Sequence, residues 1–77
     1  MTVKIYSTQT CPWCKKAKEF MKENRVKFTD VDVGKDRKAA QEMVKKSNQM
    51  GVPVIDVNGK IIVGFNESEL KKSLKLK

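Results

Sequence analysis

The sequence predicts an α/β fold in which a four-stranded mixed sheet is flanked by three helices, in the order β-α-β-α-β-β-α. Three observations carry that reading. Short runs rich in β-branched residues alternate with lysine-rich segments whose apolar residues recur at helical spacing. A helix between the first two strands implies a parallel, right-handed crossover. The last two strands flank Asn58-Gly59, a pair suited to the two positive-φ positions of a tight hairpin. At 77 residues the chain has the length of one domain, spanning 1–77.

TVKIYS, residues 2–7, alternates β-branched and aromatic residues and reads as the first strand. Pro12 suits the first turn of a helix, where its missing N–H is not needed. Cys14, Ala17, Phe20 and Met21 then recur on one face, with Lys15, Lys16, Lys18, Lys22 and Glu23 elsewhere, and the helix ends near Asn24. VKFTDVDV, residues 26–33, is the second strand, broken by Gly34. A second helix runs from about Asp36, a good N-cap, to Asn48, with Ala40, Met43, Val44 and Ser47 inward. Residues 52–57 and 60–65 form the hairpin strands. Asn66 and Glu69 have capping-box spacing for a last helix. Its Leu70 and Leu74 face inward, and Lys71, Lys72, Lys75 and Lys77 complement its C-terminus.

No N-terminal apolar run has signal-peptide length, and none approaches the ~18 residues of a membrane span, so the expectation is a cytoplasmic protein without membrane attachment. The net charge is +8, from 17 Lys+Arg against 9 Asp+Glu. Only two of the cations are arginine, and they are interspersed with acids. Base reading favours arginine, and single-strand binding needs stacking aromatics. The charge therefore reads as a solvated basic surface that tunes partners, not as a nucleic-acid site.

The only cysteines are Cys11 and Cys14, in TCPWC, residues 10–14. They could close only a small loop, which makes them a poor structural staple. Zinc needs four ligands, and the chain has two Cys and no His. A zinc or iron–sulfur site would need a dimer or outside ligands, and a dimeric carrier built around Cys11 is the alternative, non-enzymatic reading. Two buried, inert thiols are disfavoured by the intervening Pro12 and Trp13. Cys-x-x-Cys beside a β-α-β pattern points to a dithiol/disulfide couple, and inside a cell such a disulfide is transient and catalytic. Cys11 lies at the strand-to-helix junction, where first-turn N–H groups stabilise a thiolate. It is the attacking sulfur and Cys14, one turn in, the resolving one. Lys15 can add to the positive field. Nucleophilicity falls as pKa falls, so the gain in attack rate is only a few-fold and docking surfaces matter as much as the thiols.

IYSTQTCPWC, then GVPVI, then IIVGF before the last helix, together resemble the short glutaredoxins and the related NrdH-type redoxins over essentially the whole chain. The resemblance implies a thioredoxin-like fold, no bound cofactor, a redox-active Cys11–Cys14 disulfide, and a monomer. It implies that Pro53 is cis and faces the cysteines, and that the Val52 backbone pairs with the incoming disulfide as an added strand. Thr10, Pro12, Trp13, Val52, Pro53, Gly64 and Phe65 would form the docking surface. Partners would be disulfide-bearing proteins or small molecules, with glutathione or a thioredoxin reductase as the electron source.

Three departures bear on that source. Thr8 stands where many glutaredoxins have a basic residue for a glutathione carboxylate. Val63 replaces a glycine, which on the buried side would narrow the groove. Asn66 replaces an aspartate that pairs the γ-glutamyl ammonium. Lys15 and Lys35 could still attract carboxylates. Gly64-Phe65 looks more like the reductase-fed redoxins, although Asn66-Glu67 follows where they have Arg-Pro. Phe65 is either a docking residue or a core residue closing the hairpin.

Overall fold

A computed structural model describes residues 2–75 of the chain. It contains β1 (Val3–Ser7), α1 (Pro12–Glu23), β2 (Thr29–Asp32), α2 (Arg37–Ser47), β3 (Val54–Val57), β4 (Lys60–Val63) and α3 (Glu67–Leu74). The sheet order is β2-β1-β3-β4. β1 and β2 run parallel, and the other two pairs are antiparallel. The fold is the thioredoxin-like arrangement expected from the sequence.

Alternation along β1 and β3 sends side chains to opposite faces. On one face Val3, Ile5, Ile55 and Val57 pack with Ile62, with Ala17, Phe20 and Met21 of α1, and with Leu70 and Leu74 of α3. On the other, Tyr6 and Val54 pack with Met43 of α2. β1 and β3 are central because both of their faces are covered. The outer strand β2 has Thr29 and Asp30 exposed, so it carries less apolar pattern.

Several element ends differ from the sequence reading, each for a local reason. The strand expected from residue 26 begins at Thr29. Arg25 adopts φ 57° and Val26 N–H donates to Met21 O at 2.8 Å, so residues 24–26 close α1 instead of starting β2. β2 ends at Asp32, whose Oδ1 accepts from Gly34 N–H at 2.9 Å and Lys35 N–H at 3.2 Å in a side-chain turn. β3 begins at Val54, not residue 52, because Pro53 has no N–H for the ladder. β4 stops at Val63, since Gly64 takes φ 79°. In α2 the fully buried positions are Ala39 and Met43, while Ala40, Val44 and Ser47 are only half-buried. Asn58 and Gly59 adopt φ 52° and 98°, the conformation of the expected turn.

All three helices begin on a side-chain cap. Asp36 accepts from Ala39 N–H at 3.1 Å, and Asn66 from Glu69 N–H at 3.2 Å. Glu69 does not reach back to complete a capping box; it pairs with Lys60 at 3.3 Å. The third cap is Cys11. Lys77, expected at the end of the last helix, lies outside the described residues. Among the described residues no helix is long and apolar enough to cross a membrane.

Candidate functional site

β1 delivers the chain to residues 8–10, and α1 starts immediately after Cys11. Cys11 is extended, with φ −92° and ψ 111°, and Pro12 opens the helix. This geometry aims the Cys11 side chain back over the first turn, where its Sγ accepts from Cys14 N–H at 3.1 Å. Lys15 N–H donates to Cys11 O at 3.2 Å and closes the turn. Cys11 and Cys14 are disulfide-bonded, with Cα atoms 5.2 Å apart. Cys14 is fully buried, whereas Cys11 is partly exposed. Attack from solvent therefore reaches Cys11, and Cys14 is accessible only through it.

Across from the pair lies the Val52–Pro53 peptide bond, which is cis. Pro53 is fully buried. Val52 O lies 3.9 Å from Cys11 Sγ. Pro53 O accepts from Gly64 N–H at 2.8 Å, which ties the loop before β3 to the end of β4. Trp13, Val52, Pro53, Gly64 and Phe65 line a cleft of about 290 Å³. Five of the seven docking residues expected from the sequence are thus brought together. Pro12 is exposed at the helix start, outside this lining. Thr10 lines a separate groove with Thr8, Gln9, Asp32, Gly34 and Lys35.

Phe65 packs against the core and also lines the cleft. Its ring meets Phe20 edge-on at 5.7 Å, within the apolar core, and lies 6.5 Å from Trp13 across the cleft. Val63 is 51% exposed and outside the cleft lining, so the expectation of a buried-side valine narrowing the groove is corrected. With strand alternation, the register that buries Ile62 turns Val63 outward. Lys15 is exposed, and it meets Cys11 through its backbone N–H. The cation beside Trp13 is Lys16, with Nζ 4.5 Å from the centre of the ring, although Lys16 itself is not part of the cleft lining. Sequence reasoning passed over Lys16 as one lysine among many; its spacing of three from Trp13 was the available signal.

Beneath β1, Ser7 Oγ donates to Asp30 Oδ1 at 2.7 Å, and Lys18 pairs with Asp30 at 2.7 Å. Burial alone would raise the Asp30 pKa, but the Lys18 ammonium and the Ser7 hydroxyl outweigh it and hold the carboxyl below its ordinary range. These contacts fix α1 against β2 just behind the cysteine turn. Among the described residues, no group of three or more His, Cys, Asp or Glu side chains is placed to hold a metal ion.

A thioredoxin-like fold with a half-exposed N-cap cysteine, a buried partner three residues on and a facing cis-proline defines the class of dithiol redox proteins. Comparison with known proteins narrows the class. The sequence model described as Glutaredoxin matches residues 3–62, and the chain belongs to the glutaredoxin family. It is 56% identical over 70 residues to an uncharacterized glutaredoxin-like 8.6 kDa protein in a rubredoxin operon of Clostridium pasteurianum, covering 91% of this chain and 93% of that one. It is 32% identical over 73 residues to the glutaredoxin-like protein NrdH of Lactococcus lactis subsp. cremoris, covering 91% and 96%. The crystal structure of a glutaredoxin from Archaeoglobus fulgidus superposes with a TM-score of 0.88 at 31% identity, over 95% of this chain and 85% of that one.

Proposed function

We propose that this protein is a thiol-disulfide oxidoreductase that reduces disulfides of polypeptide partners through Cys11 and Cys14. One observation carries the reading: Cys11 Sγ stands at a helix start, accepts the Cys14 N–H, and faces the cis Val52–Pro53 edge. In the reduced form the Cys11 thiolate attacks one sulfur of the target disulfide. A bond forms between Cys11 Sγ and that sulfur, and the other target sulfur leaves as a thiolate and takes a proton. The Cys14 thiolate then attacks Cys11 Sγ and releases the second target thiol. Two electrons pass to the target, and the Cys11–Cys14 disulfide remains. The N–H from Cys14 and the partial positive charge of the helix start favour the thiolate form of Cys11. They favour it both as attacking group and as leaving group.

The oxidised pair must be reduced again. The lining of the cleft is uncharged, and Asn66 Oδ1 is committed to the Glu69 N–H. That supports a thioredoxin reductase over glutathione as the electron source, since a tripeptide with two carboxylates and an ammonium needs charged partners. Trp13 fluorescence reports the redox state while the oxidised protein meets glutathione or NADPH with a reductase. Fast reduction by glutathione alone would reverse this assignment. For the mechanism, Cys11→Ser abolishes turnover, while Cys14→Ser accumulates mixed disulfides that non-reducing electrophoresis resolves. Retained activity in Cys11→Ser would sink the proposal.

A further inference from the structure

The loop between α2 and Pro53 is held by its own side chains. Asn48 ends α2 with φ 62°, and Ser47 Oγ donates to Met43 O at 2.7 Å and lies 3.0 Å from Gln49 O. The Gln49 side chain then closes on Gly51 from both sides: Gly51 N–H donates to Gln49 Oε1 at 2.8 Å, and Gln49 Nε2 donates to Gly51 O at 3.0 Å. Met50, spanned by this clasp, is 81% exposed. The fit needs glycine, because a Cβ at residue 51 would meet Gln49 Oε1 at 2.8 Å.

We infer that Gln49 is a positioning residue for substrate docking: by taking up both backbone hydrogen-bonding groups of Gly51, it holds the adjoining Val52 edge ready and leaves Val52 as the residue with which an incoming chain pairs. This rests on the reading of Val52 as the docking edge. An amide side chain is suited to the task, since it offers one donor and one acceptor and so imitates a neighbouring strand. Without it, Gly51 would present free groups next to Val52, and glycine, with the widest conformational freedom of any residue, would let the edge move. A chain meeting the free edge would have to order it on binding, which weakens binding and leaves the thiol chemistry untouched.

The probe is a synthetic peptide closed by one disulfide, together with its analogue N-methylated at the backbone N–H beside the cysteine. The wild-type protein is expected to reduce the unmethylated peptide in preference. In Gln49→Ala, KM for that peptide rises about three- to tenfold, the worth of roughly one hydrogen bond. The kcat and the rate at which dithiothreitol reduces Cys11–Cys14 stay within twofold, and the penalty for methylation shrinks. Gly51→Ala displaces only the end of a flexible side chain, so it reproduces the Gln49→Ala result. Combining the two substitutions adds nothing further. Additive losses in the double variant, or a KM within twofold of wild type in Gln49→Ala, would overturn the inference and leave the thiol-disulfide reading intact. Failure of the wild type to reduce either peptide would remove both.

Discussion

At the scale of single residues, the division of labour follows from exposure. Cys14 has no exposed surface and Trp13 is 55% exposed, although they are neighbours in the chain, because a 100° turn of helix separates inside from outside. Trp13 therefore stands at the cleft and in solvent, outside the core. Trp13→Ala is expected to lower kcat/KM for a peptide disulfide several-fold, about 1 kcal/mol, with little change in thermal midpoint; a large drop in midpoint would place the indole in the fold instead. Asn66 offers a complementary test. Asn66→Asp keeps the cap on Glu69 N–H and adds charge at a helix start, expected to stabilise by about 0.3–1 kcal/mol. If the missing charge is what weakens glutathione recognition, the same variant is reduced faster by glutathione in the Trp13 fluorescence assay.

At the scale of elements, the turns and caps set what the ladders alone do not. Gly59 has φ 98° with nothing near its missing Cβ, so Gly59→Ala meets backbone strain and no clash. The expected loss is roughly 1–2 kcal/mol, read as a lower denaturation midpoint with the hairpin retained. The bond from Gly64 N–H to Pro53 O joins β4 to the cis-proline loop, so disturbance of the hairpin should reach the cleft. α2 is tied to the sheet by one polar knot. Lys46 Nζ donates to Tyr6 OH at 3.0 Å, lies 2.9 Å from Glu42 Oε1 and 3.0 Å from Asp56 Oδ2, and Tyr6 OH donates to Glu42 at 2.9 Å. Lys46→Met is expected to destabilise by about 1–3 kcal/mol, because the half-buried Asp56 loses its partner; guanidinium unfolding measures it.

At the scale of the whole molecule, that knot and the Lys18–Asp30 pair give stability a pH window. Burial opposes ionisation of Asp30 and Asp56, but their lysines hold both below their ordinary 3.8; the Lys46 and Tyr6 hydrogen bonds lower Glu42 from 4.5. A carboxyl depressed in the folded state contributes stability above its unfolded pKa, and that stability is lost as pH falls through the folded value. The acid limb should therefore descend below about pH 4. Burial raises the Tyr6 pKa above 10.0, and the hydrogen bonds that Lys46 donates to Tyr6, Glu42 and Asp56 raise its own above 10.5. Groups raised in the folded state stabilise below their unfolded pKa and lose that contribution as pH rises through the folded value, so the alkaline limb begins near pH 10. Denaturation midpoints across pH should be flat between the limbs, and Lys46→Met should flatten the alkaline one. An alkaline limb unchanged in Lys46→Met would assign it to other groups.

The sequence by itself determined the order of elements, the buried face of α1, the Asn58-Gly59 turn, the caps at Asp36 and Asn66, and Cys11 as the exposed sulfur. These are local: each follows from residues within one or two turns of chain, where periodicity and capping chemistry act directly. The element ends were less legible, because Arg25, the Asp32 side chain and Gly64 stop elements that their apolar pattern would continue. The cis bond before Pro53 came from resemblance, since a proline at a strand start carries no such signal alone. Only the tertiary structure decided that Val63 faces outward, that Phe65 serves core and cleft at once, that Lys16 and not Lys15 meets Trp13, and that Gln49 clasps Gly51. Each depends on which face a strand register or a loop presents to another element. A one-residue change of register reverses such a choice without altering local propensity.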